Sequence, residues 1–278
     1  MHAIKSVLIA CTILVSTVLS STIVYAENIS YGTVLAADVI NISYEHVKRG
    51  GDSVIIICPG FYNSKNNRWM RKACEIIPRQ YDVIIFDFRG HGKSGGKFTW
   101  GSRETMDMAA IMNYASSGGY SHIGILAFSL GAAAAINSAS GRNDIDSMIL
   151  VSCPSSFEAI DYHFWEPEML SDLKDNMECK WEGKGVRSGN PFLAKDKPVN
   201  SVKSLKNIPI LFIHGDNDWV VKERHSKKLY EAANTYKRIE IVKGGLHAER
   251  LIQLHTEMMA RLISEWFSET MGKERKLQ

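Results

Sequence analysis

Ser129 sits in the string Ala127-Phe128-Ser129-Leu130-Gly131, between an apolar run, Ile123 to Leu126, and an Ala-rich run, Ala132 to Ala135. The first run reads as a buried strand and the second as the start of a helix. A serine with tiny residues two positions away on each side, at a strand-to-helix junction, has the layout of a nucleophile elbow. The turn is so sharp that those two positions approach neighbouring backbone, where only Gly or Ala fits. The serine hydroxyl then stands above the sheet, and the N–H of Leu130 points toward a reacting oxygen. A hydroxyl is a poor nucleophile unless an imidazole takes its proton, and a carboxylate must fix that imidazole's tautomer.

Two later segments carry those residue types. Asp218 lies in His214-Gly215-Asp216-Asn217-Asp218, just past the apolar run Ile208–Ile213, and His247 lies in Gly244-Gly245-Leu246-His247, just past Ile239–Val242. Asp216 competes with Asp218 for the acid, and the other polar residues have plainer readings. His91, in the Arg89–Ser94 loop, reads as a structural hydrogen-bonder, His214 as structural, His163 as solvated with a place in the substrate pocket as its alternative, and His255 as facing solvent or a neighbouring helix. The elements that must position this set follow from the apolar pattern. Val34 to Val47 suggests a starting hairpin, and Val54–Cys58, Val83–Phe86, Ile123–Ala127 and Met148–Val151 are continuous apolar strands. Between them run helical stripes: Trp69, Ala73 and Ile77; Met106, Ala109, Ala110 and Tyr114; Leu229 and Ala232; and Leu251, Leu254, Met258, Leu262 and Trp266. Buried strands alternating with amphipathic helices predict an α/β fold, a mostly parallel sheet with helices on both faces. In such a sheet the carboxyl ends of the strands share one edge, so Ser129, Asp218 and His247 can converge there.

The segments Cys58-Pro59-Gly60-Phe61, Asp87-Phe88-Arg89-Gly90-His91-Gly92-Lys93-Ser94-Gly95-Gly96, the elbow and the Asp218 and His247 loops resemble those of the α/β-hydrolase family, from about Asp38 to Phe267. The resemblance leans toward small esterases and serine-aminopeptidase-like hydrolases, and the Ser…Asp…His order is the one that family uses. It implies a catalytic set of Ser129, Asp218 and His247, with the backbone N–H groups of Phe61 and Leu130 as the oxyanion hole. The chain departs from the family pattern in having Pro59-Gly60 where His-Gly is usual and Ala127 where Gly is commoner. Since the hole uses backbone and Ala is small, both departures are tolerable.

The net charge of +3 in 278 residues, with no basic stripe interleaved with aromatics, gives no case for nucleic acid. The N-terminus stands apart. After Lys5 no charge occurs until Glu27, and Val24-Tyr25-Ala26 suits a signal peptidase. Residues 1–26 therefore read as a secretory leader, with an uncleaved membrane anchor as the main rival, and residues 27–278 as the hydrolase domain of an exported protein. Cys11 falls in a poor lipoprotein box. Cys58, Cys74, Cys153 and Cys179 show neither disulfide nor zinc spacing, and a Cys74–Cys179 pairing stays open. Pro154 to Leu205 breaks the rhythm and reads as a cap insertion, about 154–205, whose Trp165 and Trp181 are candidate substrate-binding residues. The reading is a serine hydrolase that cleaves small-molecule carboxylic esters through an acyl-enzyme, with no cofactor and no metal. The alternatives are an aminopeptidase or amidase on the same residues, or a non-catalytic ligand-binding protein on a hydrolase scaffold.

Overall fold

The structure, a computed structural model, describes residues 27–160, 167 and 185–271. Eight strands form one sheet: β1 (Asn28–Leu35), β2 (Asn41–Lys48), β3 (Ser53–Cys58), β4 (Tyr81–Phe86), β5 (His122–Phe128), β6 (Ser147–Val151), β7 (Ile210–Gly215) and β8 (Lys237–Val242), in the order β1-β2-β4-β3-β5-β6-β7-β8. The β1–β2 and β2–β4 pairs are antiparallel, and every pair from β4 to β8 is parallel. The continuous apolar runs are the five central strands, whose residues are all buried except His122 at the start of β5. The edge strand β8 is only half-buried.

Alternation along the strands splits the core between the two faces. On β3, Val54, Ile56 and Cys58 pack with α2 (Glu104–Ser117), α3 (Leu130–Ala139) and α5 (Arg224–Ala232). Ile55 and Ile57 pack with α1 (Arg68–Ile76), α6 (Arg250–Leu254) and α7 (Thr256–Thr270) on the other face. A short α4 (Pro198–Ser201) and a 3-10 turn, Val202–Ser204, precede β7. Among the described residues no helix is long and apolar enough to cross a membrane.

Three helical stripes differ from the sequence expectation. On α2 the buried face is Glu104, Asp107, Met108, Ile111, Met112 and Ala115, while Met106 and Tyr114 are half-buried. A pattern read from polarity misses this because two carboxylates lie on the inner face, each held by donors described below. On α1 the buried residues are Met70, Ala73 and Cys74, and Trp69 is half-buried. The final stripe is not one helix: the backbone turns at His255 between α6 and α7, which leaves Leu254 48% exposed. The leader, Trp165, Trp181, Cys179 and the cap residues 161–166 and 168–184 lie outside the described residues.

Candidate active site

Phe128 ends β5 and α3 begins at Leu130, so a single residue makes the whole turn. Ser129 has φ 49° and ψ −114°, a region that side-chain-bearing residues avoid. The conformation is held by its neighbours. Ser129 N–H donates to Val151 O at 2.8 Å, and Ser129 O accepts from Ala132 N at 3.0 Å and Ala133 N at 3.2 Å. A Cβ at Gly131 would lie 2.5 Å from Pro59 O and 2.6 Å from Cys58 O. Both are fixed backbone of the adjacent strand end, so this position admits only glycine. Ala127, two residues before the serine, is fully buried between Cys58 and Leu150 in the sheet. Leu130 opens α3, and the first N–H groups of a helix have no partner within it.

The three candidate side chains meet in one hydrogen-bonded chain. His247 Nε2 lies 2.9 Å from Ser129 Oγ, and His247 Nδ1 lies 2.7 Å from Asp218 Oδ2. A carboxylate only accepts, so Nδ1 carries the proton and Nε2 is left to accept from the serine hydroxyl. Asp218 Oδ1 accepts from Val220 N at 3.0 Å and Val221 N at 2.8 Å. Burial disfavours the Asp218 charge, but His247 and His214 outweigh it and hold the carboxyl well below the usual carboxylate range. His214 is fully buried, with Nε2 2.6 Å from Val221 O and 3.3 Å from Asp218 Oδ2, and Nδ1 2.6 Å from Ser226 Oγ. Both neighbours of Nε2 are acceptors, so Nε2 bears the proton and Nδ1 accepts from Ser226. Asp216, the rival acid, is exposed and accepts from Gly244 N at 2.7 Å.

The acid and histidine loops are packed backbone to backbone. A Cβ at Gly215 would fall 2.1 Å from Gly245 O, and Asn217 N–H donates to Gly245 O at 3.0 Å. Ser152, just past β6, accepts from Ala248 N at 3.0 Å and so fixes the residue next to His247. Ser152 and Ala248 both have φ 51°. Sequence reasoning passed over Ser152, since one more small residue after a strand gives no signal.

Phe61 follows Gly60 on the loop leaving β3. Its neighbour Tyr62 donates its N–H to His91 Nε2 at 3.1 Å, and His91 Nδ1 lies 3.0 Å from Arg89 O. The carbonyl can only accept, so Nδ1 carries the proton and Nε2 must stay bare. His91 is therefore neutral and holds backbone, and burial pushes its pKa down in agreement. Two further ties escaped the sequence reading. Asn63 Nδ2 donates to Glu249 Oε1 at 2.6 Å, joining the Phe61 loop to the His247 loop across 186 positions. Lys65 Nζ is buried against Asp87 Oδ2 and donates to Ser43 Oγ at 3.0 Å. Removing one member of such a buried pair costs about 3–5 kcal/mol. Among the described residues no group of three or more His, Cys, Asp or Glu could hold a metal ion.

The sheet and the helices on its two faces are those of the α/β-hydrolase fold. Residues 53–176 match the family described as alpha/beta hydrolase fold, and residues 161–250 match the family described as serine aminopeptidase, S33. Among solved structures, the esterase Pf2001 of Pyrococcus furiosus superposes with a TM-score of 0.71 at 24% identity, covering 88% of this chain and 94% of that one. The chain is 25% identical over 182 residues to the uncharacterized protein YfhR of Escherichia coli (strain K12), covering 65% of this chain and 58% of that protein. It is 26% identical over 216 residues to human protein ABHD12B, covering 72% of this chain and 55% of that protein. The chain thus spans less than two thirds of the length of these curated relatives. The chain therefore has the α/β-hydrolase fold, and each of the two family matches covers less than half of it.

Proposed function

We propose that this protein is an exported serine hydrolase that cleaves small carboxylic esters. The observation that carries the reading is the continuous hydrogen-bonded path from Ser129 through His247 to Asp218, starting on a strained turn. Ser129 Oγ attacks the acyl carbon as its proton moves to His247 Nε2. The carbonyl oxygen takes the negative charge against the N–H groups of Phe61 and Leu130. The tetrahedral adduct collapses, His247 gives the proton to the leaving alcohol, and an ester to Ser129 remains. Water, losing a proton to His247, then releases the acid and restores the hydroxyl. Each step is assigned to side chains and backbone of this chain.

Because His247 must be neutral to accept the proton, kcat/KM should rise with pH through an apparent pKa of about 6–7.5 and then level. His247→Ala should remove this limb with most of the activity. His91→Ala should keep it, since His91 bonds only backbone. An equal loss in both variants, each folded, would reassign the base.

Turnover of a chain-length series of chromogenic esters beside aminoacyl amides tests the substrate class. The serine aminopeptidase match over residues 161–250 favours an amine-recognising peptidase as the second reading. Faster cleavage of the amides would select it. Ligand-induced stabilisation with no turnover of either would point to a binding protein.

Export is a separate claim, motivated by the uncharged stretch between Lys5 and Glu27. N-terminal sequencing of protein from the producing cell should begin at Glu27. A chain starting near Met1 and recovered with membranes would make residues 1–26 an anchor.

A further inference from the structure

Trp100 lies outside the hydrogen-bonded path of Ser129, yet its backbone is among the most constrained in the chain. Its φ is 59°, in the left-handed region where a bulky side chain is an outlier. Such strain persists only when the surroundings over-determine it, and it gathers at functional sites. Here the surroundings are one buried carboxylate. Glu104, fully buried at the first position of α2, accepts from Thr99 N at 2.7 Å, from Gly101 N at 2.8 Å and from Thr99 Oγ1 at 3.0 Å. Arg103 N–H donates in turn to Thr99 Oγ1 at 2.9 Å. Donors on both sides of Trp100 are thereby tied to one acid, and the residue between them is pushed outward. The indole Nε1 donates to Ser188 Oγ at 3.2 Å, which fixes the ring's edge.

The ring is aimed at the oxyanion loop. Trp100 stacks on Phe61 with centroids 5.6 Å apart and planes 30° apart. Phe98 lies beneath both, 5.0 Å from Phe61 and 5.2 Å from Trp100, and His91 meets Phe61 edge-on at 6.1 Å. Phe98 is buried, whereas Phe61 remains 41% exposed despite these neighbours. An aromatic ledge results, rooted in Phe98 and held flat by Trp100, with part of the Phe61 ring open to solvent.

We propose that Phe61 and Trp100 form the binding ledge for a planar aromatic group attached to the ester carbonyl, and that Glu104 is the positioning residue that sets the ledge. The proposal rests on the serine hydrolase reading, in which the N–H of Phe61 faces the oxyanion. On that reading the acyl carbon lies within one residue of the ledge. A ring bonded to that carbon extends the Phe61–Trp100 stack, in the offset geometry that aromatic rings prefer. The acyl group stays on Ser129 through both half-reactions, so a platform on the oxyanion residue acts on both.

The test compares ethyl benzoate with ethyl butyrate, and phenyl butyrate with ethyl butyrate, in wild type, Trp100→Ala, Trp100→Phe and Glu104→Gln. Referring each substrate ratio to wild type cancels the intrinsic reactivity of the esters. The benzoate-to-butyrate ratio of kcat/KM should fall about ten-fold or more in Trp100→Ala. It should largely recover in Trp100→Phe. It should also fall in Glu104→Gln, because a primary amide turns donors toward the turn that the acid holds; a purely structural role for Glu104 would leave the ratio unchanged. An unchanged ratio in Trp100→Ala overturns the ledge, and so does a loss confined to the phenyl-to-ethyl ratio, which would move the ring to the leaving group. Labelling of Ser129 by a fluorophosphonate tests the parent reading separately. In a protein inert to every ester, calorimetric binding of benzoate that is lost in Trp100→Ala still supports the ledge, and absence of binding overturns it.

Discussion

Ser129→Ala should lower kcat for ester cleavage by roughly 10⁴–10⁶-fold, because the nucleophile and base act as a unit and neither works alone. The fold should survive. The hydroxyl bonds the ring of His247, and the sharp turn is held by backbone contacts to Val151, Ala132 and Ala133, which alanine keeps. Alanine also keeps the cost of φ 49°, whereas glycine adopts such angles freely. Ser129→Gly should therefore be equally inactive but melt at a higher temperature than Ser129→Ala. A fluorophosphonate should label wild type at Ser129 and neither variant. Activity surviving in both variants, or labelling at another residue, would show that the strained turn serves something other than nucleophilic attack.

The candidate site was legible in the sequence, as a geometric arrangement, where sterics restrict residue type. Gly131 had to be small because the carbonyls of Cys58 and Pro59 occupy the place of its Cβ. The continuous apolar runs were legible as strands because the central sheet is covered on both sides, which removes the polar alternation of a half-exposed strand. Buried polar groups were not legible. Glu104 and Asp107 are absent from the apolar stripe read for α2, yet they face inward because donors meet them: the Thr99–Gly101 turn for Glu104, and Arg89 for Asp107, with Nη2 2.7 Å from Oδ1. Asn63 and Glu249 are separated by most of the chain, and no local period can mark a contact of that kind. His91 could be read as structural, but not as the group that holds the N–H of Tyr62. Polarity along a chain tells which groups prefer water, whereas these groups stay inside because a specific partner replaces that water.

Asp218→Asn should cost about 10⁴-fold in kcat while leaving the shape of the site nearly unchanged. The direction follows from the partners of the carboxylate. Oδ1 accepts from the N–H groups of Val220 and Val221, so the amide oxygen of an asparagine must take that place. The amide nitrogen then faces His247 Nδ1, where Oδ2 accepts a hydrogen bond in the native protein. Two donors cannot share that bond, so the imidazole shifts its proton to Nε2 and can no longer take one from Ser129. The same substitution should alter stability with a definite sign. The native pKa of Asp218 is depressed, so its charge stabilises the fold above the unfolded value of about 3.9. That contribution is lost as pH falls through the depressed native value. Melting temperatures of wild type and Asp218→Asn should therefore differ most near neutrality and converge in acid. A folded asparagine variant that kept kcat within about ten-fold of wild type would remove Asp218 from the mechanism, and Asp216, which now ties Gly244, would be the next carboxylate to test.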